Sequence, residues 1–176
     1  DTALTLRDQL RTLPDLPTPG IMFRDITPLL AAAGALAESI EVMSSRWRNA
    51  RIDLVAAMEA RGFIFGAAMA KELGAGFVPV RKTGKLPFTT RTIDYTLEYR
   101  NDALFIHEDA VRPGQRVLVI DDLIATGGTA RAVAQLVELL GGEVVGFGFL
   151  VELVDLKGRE VLAGYDVRSE IEFEGD

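Results

Sequence analysis

Short apolar runs alternate with stretches of helical pattern through the middle of this 176-residue chain. The runs are apolar at nearly every position, which is typical of strands buried on both faces of a sheet. They cover residues 54–58, 76–80, 116–120 and 144–153, with a weaker one at 103–107. Helical patterns occupy 63–74 and 129–140, and the second ends at a Gly-Gly pair. This alternation predicts βαβ units on a mainly parallel sheet flanked by helices, an α/β fold.

The remaining segments have weaker patterns. Four leucines between positions 4 and 13 predict a short amphipathic helix over about the first dozen residues. Three prolines prevent a regular helix in the connector at 13–20, and an Ala-rich helix is expected at about 30–49. The polar stretch at 83–101 has little regular pattern, and Pro113-Gly114 marks a turn. The acidic tail at 169–176 is expected to end without regular structure.

Composition restricts the possible chemistry. The chain has no cysteine, which excludes disulfides and thiolate zinc sites, and its one histidine, His107, argues against a Ser-His-Asp triad. We expect His107 to be structural or exposed. A net charge of −7 argues against nucleic acid as a partner. With no apolar run of membrane-spanning length and no signal peptide, we expect one cytoplasmic domain over 1–176 that does not bind membranes.

The string VLVIDDLIATGGT at 117–129 is the strongest chemical signal. An apolar strand ends in two acids, Asp121 and Asp122, which suit adjacent ribose hydroxyls or a metal-bound diol. Small and hydroxyl residues then open a helix, where backbone N–H groups and the helix dipole favour a phosphate. These residues are Ala125, Thr126, Gly127, Gly128 and Thr129. Together they predict a sugar 5-phosphate site, because a plain Gly-rich turn would need both acids, both glycines and both threonines to be coincidental.

Two more groups of polar residues follow predicted strands, at the edge where parallel sheets bind ligands. The first opens a helix, so the same physics predicts a second anion site. It consists of Glu59, Ala60, Arg61 and Gly62. The second group is cationic in an acidic protein and consists of Arg81, Lys82 and Lys85. Such a run is commonly a solvated surface, but beside two anion loops we interpret it as a pyrophosphate clamp.

At this point the chain resembles a known family. The 117–129 string resembles the phosphoribosyl pyrophosphate signature of type I phosphoribosyltransferases, and other segments narrow the resemblance to adenine phosphoribosyltransferases. These segments are PDLPTPGIMFRDITPLL at 14–30, EARGFIFG at 59–66, VRKTGKLP at 80–87, YTLEY at 95–99 and LVELVDLKGRE at 150–160. The resemblance implies the type I fold, with a small hood built partly from about 13–30. It also implies a mobile loop at about 83–101 that closes over the site.

The resemblance assigns roles to the base-binding residues. Phe23 is implied to stack on adenine, and backbone groups of Met22 and Arg24 to read the edge of the base. Leu153 is implied to cover the other face. Glu98 matches the catalytic acid of the family, and Tyr99 beside it helps to position the ligand.

The pyrophosphate loop of the family matches residues 59–61. The resemblance implies a cis peptide bond between Glu59 and Ala60, with positive charge supplied by Arg61. It further implies Mg²⁺, held mainly by substrate and water, and a homodimer with Arg81 near its interface.

The activity implied is transfer of the 5-phosphoribosyl group of phosphoribosyl pyrophosphate to adenine, giving AMP and pyrophosphate. One alternative is an enzyme for another base, such as hypoxanthine, guanine or xanthine, although 20–24 matches the adenine pattern. A second alternative is a non-catalytic sensor of phosphoribosyl pyrophosphate. Such a regulator would need a DNA-binding extension and a basic face, and this acidic chain has no segment resembling that extension.

Overall fold

The computed structural model describes residues 6–97 and 100–175. Its strands are β1 (Arg11–Pro14), β2 (Met22–Asp25), β3 (Leu54–Met58), β4 (Gly76–Val80), β5 (Thr90–Leu97), β6 (Arg100–His107), β7 (Arg116–Ile124), β8 (Glu143–Leu153) and β9 (Val167–Phe173). Its helices are α1 (Thr27–Ala31), α2 (Ala33–Ser45), α3 (Arg61–Leu73), α4 (Gly128–Leu139) and α5 (Gly158–Val161), with a 3-10 turn at Val154–Leu156.

Five strands form one sheet in the order β4-β3-β7-β8-β9, and all neighbouring strands are parallel. β7 lies at its centre, where Val117 and Val119 face one hydrophobic cluster and Leu118 and Ile120 face the other. α4 and the β5–β6 hairpin cover the first face, and α2 and α3 cover the second. The predicted α/β architecture with a parallel sheet flanked by helices is confirmed.

The N-terminal segment differs from the prediction of a helix over the first dozen residues. The described part has one helical turn at Leu6 and Arg7, and the chain is extended from Arg11 onward in β1. Pro14 favours the extended end of β1, because the residue before a proline, Leu13, is biased away from helical backbone angles. β1 pairs antiparallel with β2 in a separate two-stranded sheet, at the position predicted for the hood. The Pro-rich connector joins these two strands.

The helix predicted at about 30–49 is two helices. α1 begins earlier, with Pro28 in its first turn, where the missing N–H costs no hydrogen bond. Ala32 is extended (φ −94°, ψ 108°) and separates α1 from α2. α2 then ends at Ser45, before the buried Trp47.

The stretch at 83–101, predicted to have little regular structure, contains β5 and the start of β6. These strands form an antiparallel hairpin, with pairs from Thr90 and His107 to Leu97 and Arg100. An isolated bridge between Arg81 and Phe105 connects the hairpin to the end of β4. The prediction missed β5 because only one face of the strand packs on α4, so that exposed polar residues alternate with the apolar ones.

The C-terminal tail is more ordered than its acidity suggested. β9 runs to Phe173 as the edge strand beside β8, and Ile171 anchors it in the core. The expectation of irregular structure therefore holds, among the described residues, only from Glu174 to Gly175. Across residues 6–97 and 100–175, no helix has the length and apolar character needed to cross a membrane.

Candidate functional site

A cavity of about 190 Å³ opens at the carboxyl end of the central strands. It lies between the ends of β3 and β7 and the first turns of α3 and α4, where parallel α/β sheets bind ligands. Its walls include much of the predicted sugar-phosphate motif. The lining residues are Met58, Arg61, Asp121, Asp122, Leu123, Ile124, Ala125, Thr126, Gly127, Thr129, Ala130 and Phe149.

The two acids of the motif lie just past the part of β7 that pairs with β3. That pairing ends at Ile120, and β7 continues with Asp121 and Asp122 toward the cavity. The Asp122 backbone N–H donates to Asp121 Oδ1 at 2.8 Å. Burial raises the pKa of Asp121 well above its usual range, and the negative charge of Asp122 raises it further. The pair therefore concentrates more negative charge than this environment favours.

Arg61 compensates part of that charge. Its Nε donates to Asp122 Oδ2 at 2.6 Å, across 61 positions of sequence. The Asp122 carboxylate is the main reason why the pKa of Arg61 is raised. A predicted pyrophosphate residue and a predicted ribose residue are thus paired with each other.

Gly62 allows the first turn of α3 to lie close to Asp121. A Cβ built on it would lie 3.0 Å from Asp121 Oδ1 and 3.5 Å from the Ile120 carbonyl oxygen. Because a Cβ contact of 3.0 Å is rare for real side chains, Gly62 lets the start of α3 approach the Asp121 carboxylate. Sequence reasoning placed Gly62 in the second anion loop without giving it this role.

The predicted phosphate loop begins α4. Gly127 precedes the helix in the left-handed region (φ +89°), which favours glycine. The first N–H groups of α4 have no partner within the helix, as at any helix N-terminus. Gly128 and Thr129 lie in that first turn, and Ala125 and Thr126 line the cavity beside it. The loop therefore directs backbone donors and the positive end of a helix dipole to one place.

The second loop connects β3 with α3. The peptide bond between Glu59 and Ala60 is cis, as predicted. Glu59 Oε1 accepts hydrogen bonds from Arg81 Nε at 3.0 Å and from the Lys82 backbone N–H at 2.9 Å. The Lys82 N–H is the main reason why the pKa of Glu59 is lowered. Glu59 thus orients the start of the predicted cationic clamp, while the side chains of Lys82 and Lys85 extend into solvent.

Two of the four predicted adenine residues, Arg24 and Leu153, lie beside Phe173. The Arg24 guanidinium carbon lies 4.2 Å from the centre of the Phe173 ring, and Phe173 pairs with Leu153 across β8 and β9. Phe23, next to Arg24 in β2, is 40% exposed. A large apolar ring with that exposure is available for stacking. Met22, the first residue of β2, pairs with Pro14 of β1.

The charge of Arg61, in the cavity lining, also affects one residue of the hood strand β2. The pKa of Asp25, at the end of β2, is lowered mainly by the Thr27 N–H, and Arg61 contributes to the shift. The charge of Arg61 in the cavity lining therefore reaches the end of the hood strand.

Three predicted residues stand apart from this geometry. Glu98 and Tyr99 lie outside the residues that the structure describes. His107 is structural, as predicted: its Nε2 accepts the Phe88 N–H at 3.3 Å, and its ring meets the Phe88 ring edge-on at 5.9 Å. It attaches the segment before β5 to the end of β6.

Comparison with known proteins agrees with this geometry. The phosphoribosyl transferase domain family matches residues 25–174. An adenine phosphoribosyltransferase of Clostridium perfringens is 51% identical over 171 residues, which is 97% of this chain and 99% of the relative. The solved adenine phosphoribosyltransferase of Thermoanaerobacter pseudethanolicus is 53% identical with a TM-score of 0.94, over 97% of this chain and 99% of the other. That of Saccharomyces cerevisiae, complexed with D-2,5-dideoxy-2,5-imino-altritol 1,6-bisphosphate and adenine, is 37% identical with a TM-score of 0.89, over 96% and 97% of the two chains.

Proposed function

We propose that this chain, which belongs to the adenine phosphoribosyltransferase family, transfers the 5-phosphoribosyl group of phosphoribosyl pyrophosphate to adenine. The products are AMP and pyrophosphate. The observation that carries the proposal is the cavity that Arg61, the acid pair and the loop at 125–129 share. It combines diol acceptors, a phosphate nest and a cation at one sheet edge.

Asp121 and Asp122 accept hydrogen bonds from the two ribose hydroxyls. Hydroxyl donors suit the pair because they favour the charged form of Asp121, which burial and Asp122 disfavour. The 5′-phosphate binds the backbone N–H groups at the start of α4, with the hydroxyls of Thr126 and Thr129 as further donors. Ala125, Gly127 and Gly128 keep that approach open.

Pyrophosphate binds at the loop between β3 and α3, at the backbone of Glu59 and Ala60. Arg61 leaves Asp122 and contacts the departing oxygens when the ribose hydroxyls take over its carboxylate partner. Residues Arg81, Lys82 and Lys85 add positive charge from the end of β4. Fixed positive groups aimed at the leaving group lower the barrier, because negative charge grows there as the C1′–O bond breaks.

Adenine stacks between Phe23 and Leu153, and backbone groups of Met22 and Arg24 read its edge. Stacking on an aromatic ring is worth about 1–3 kcal/mol per base. Adenine N9 then bonds to C1′, whose positive charge develops as in other glycosyl transfers. Glu98 manages the purine proton that this step releases, and Tyr99 helps to position the ligand.

Mg²⁺ fits the donor chemistry of the cavity. Hard carboxylate oxygens are its preferred protein ligands. Among the described residues that line the cavity, Arg61 is the one cationic side chain beside the two carboxyl groups of Asp121 and Asp122. These acids would contact the ion through ribose hydroxyls or water. When bound with phosphoribosyl pyrophosphate, the ion supplies charge neutralisation at the pyrophosphate oxygens.

The proposal extends to a cytoplasmic homodimer that acts in purine salvage, which the family resemblance supports. No observation favours a different purine base or a regulator without activity. The curated relatives that support the adenine assignment match nearly the full length of the chain.

The test is formation of AMP from adenine and phosphoribosyl pyrophosphate, with and without Mg²⁺. Hypoxanthine, guanine and xanthine in the same assay measure base selection. We expect AMP only with adenine and Mg²⁺. Equal turnover of hypoxanthine, or tight binding of phosphoribosyl pyrophosphate with no nucleotide formed from any base, would contradict the proposal. Glu98→Gln should lower kcat far more than it weakens binding of phosphoribosyl pyrophosphate, and unchanged turnover would exclude its role.

A further inference from the structure

The phosphate loop lies directly on the backbone of a short helix that the 117–129 motif does not include. A Cβ built on Gly158 of α5 would lie 2.6 Å from the Ala125 carbonyl oxygen and 2.7 Å from Ile124 Cγ1. In the other direction, a Cβ on Gly127 would lie 2.7 Å from the Gly158 carbonyl oxygen. Since real Cβ contacts are essentially never under 3.0 Å, the two segments touch through backbone at both glycines.

α5 has only four residues and no side-chain cap, so it needs support from elsewhere. Arg159 provides that support. Its Nε donates to Glu152 Oε1 at 2.9 Å and to Oε2 at 3.0 Å, and its Nη1 donates to the Val167 carbonyl at 2.8 Å. Its Nη2 lies 3.2 Å from Ser169 Oγ. One guanidinium thus connects α5 with both β8 and β9.

The acceptor of this network is firmly held. Glu152 is 6% exposed near the end of β8, and Ser169 Oγ donates to its Oε1 at 2.6 Å. A buried carboxylate needs such partners, because an unpaired one would lose its hydration without compensation. Glu152 also stands opposite Ile124 in the β7–β8 register, one residue before the loop that Gly158 contacts.

We propose that Gly158 and Arg159 are positioning residues for the 5′-phosphate of the substrate. The Arg159–Glu152–Ser169 network fixes α5, and Gly158 fixes the height of the backbone at Ala125 and Gly127. The donors of the loop are thereby set for a phosphate before the ligand arrives. This inference rests on the proposed function, because it takes 125–129 as the 5′-phosphate site.

The variant Gly158→Ala changes this contact with a single methyl group. The new Cβ would lie 2.6 Å from the Ala125 oxygen, 0.4 Å inside the 3.0 Å limit. Because that oxygen belongs to the backbone, the backbone itself must shift. Misplacement of about 1 Å can cost on the order of a hundredfold in reaction rate. For a shift of a few tenths of an ångström in the loop donors, we expect roughly tenfold weaker binding of ribose 5-phosphate by calorimetry. Binding of pyrophosphate, at the loop between β3 and α3, should stay within about twofold on the same geometric argument.

Gly34→Ala is the matched control. Gly34 also lies in a helix, and a Cβ there has nothing within 4 Å. It should leave binding of both ligands and turnover unchanged. In Gly158→Ala, KM for phosphoribosyl pyrophosphate should rise more than KM for adenine.

Arg159→Lys provides a second variant if Gly158→Ala does not fold. Lysine keeps the charge but cannot span Glu152, Val167 and Ser169 at once, because it lacks the planar fork of arginine. We expect the same selective loss of ribose 5-phosphate affinity, about threefold, since the Gly158 contact itself remains.

Two results would overturn the inference. One is ribose 5-phosphate binding within twofold of the unchanged protein in both variants. The other is an equal loss of ribose 5-phosphate and pyrophosphate, which would make α5 a general structural support. Failure of the proposed function is distinguishable, because the unchanged protein would then form no AMP whatever the variants bind.

Discussion

The ion pair between Arg61 and Asp122 joins the two halves of the proposed substrate site, so a double-mutant cycle on it tests both assignments. The cycle consists of Arg61→Met, Asp122→Asn and the double variant. The Asp122 side chain is 8% exposed and that of Arg61 is 56% exposed. The carboxylate is therefore the partner that depends on the pair for compensation.

The expected magnitude lies between two limits. Exposed pairs contribute about 0–1 kcal/mol, whereas removing one partner of a fully buried pair costs about 3–5 kcal/mol. With one buried partner, we expect Arg61→Met to lower the free energy of unfolding by about 2 kcal/mol and Asp122→Asn by about 1 kcal/mol. The double variant should lose about 2 kcal/mol instead of 3, a coupling of about 1 kcal/mol. At this chain length, 2 kcal/mol corresponds to a Tm decrease of about 4–8 °C.

Thermal unfolding at fixed protein concentration measures the cycle, and calorimetry with pyrophosphate separates stability from function. Asp122→Asn should bind pyrophosphate several-fold more tightly, because Arg61 is released and a negative charge is removed. Arg46 and Glu170 form a matched control pair at 3.0 Å, with side chains 47% and 4% exposed. Arg46→Met should destabilise similarly without changing pyrophosphate binding. Additive effects within about 0.3 kcal/mol, or unchanged pyrophosphate affinity in Asp122→Asn, would refute the reasoning.

Three further changes test other parts of the structure. Asp121→Asn should stabilise the free protein at pH 7 and abolish ribose 5-phosphate binding. The raised pKa of Asp121 makes the native state bind its proton more tightly, so the unchanged protein loses stability as pH rises from about 4 through that raised pKa. Melting curves of both proteins against pH should diverge in that window, and parallel curves would contradict it. Gly146→Ala should cost about 1–3 kcal/mol by denaturant unfolding, because its Cβ would lie 2.5 Å from Trp47 Cη2 and 2.6 Å from the Asp166 carbonyl; a cost near zero would show that Trp47 can move. Phe173→Leu should raise KM for adenine several-fold but not KM for phosphoribosyl pyrophosphate, since it removes the ring beneath Arg24; equal changes would separate Phe173 from the base site.

The sequence predicted elements best where burial is continuous. β7 carries consecutive apolar residues because both its faces are covered, and its pattern identified it without further information. β5 has the opposite character, with Ile93 packed against the core between exposed Thr92 and Asp94. A strand that is half exposed and starts after a loop looks polar, and only its alternation could have identified it. β9 was missed for the same reason, since Ile171 is its buried anchor among acidic neighbours.

Within the site, local motifs were predictable and distant contacts were not. The two helix N-termini, the acid pair and the cis peptide at Glu59 follow from short strings of sequence and from the family resemblance. The contacts of Phe173 with Arg24 and of Gly158 with Ala125 cross long stretches of chain. Neither residue type indicates such a role by itself. Phe173 comes beside Leu153 only when β9 pairs with β8, and Gly158 meets Ala125 only when α5 packs on the loop after β7.

The order of the sheet explains why the two anion loops can act on one ligand. β3 and β7 are distant in sequence but adjacent in space, so the loops after them open side by side and Arg61 reaches Asp122. That same closeness buries Asp121 beside Gly62, and this burial raises the pKa of Asp121. A ligand with both ribose hydroxyls and a pyrophosphate group would bring donors to Asp121 and a phosphate to Arg61 together. Ribose 5-phosphate would bring only the donors to Asp121, and pyrophosphate would bring only the phosphate to Arg61. On the proposed function, we therefore expect phosphoribosyl pyrophosphate to bind more tightly than either of its halves, and binding of the intact substrate to release Arg61 for the leaving group.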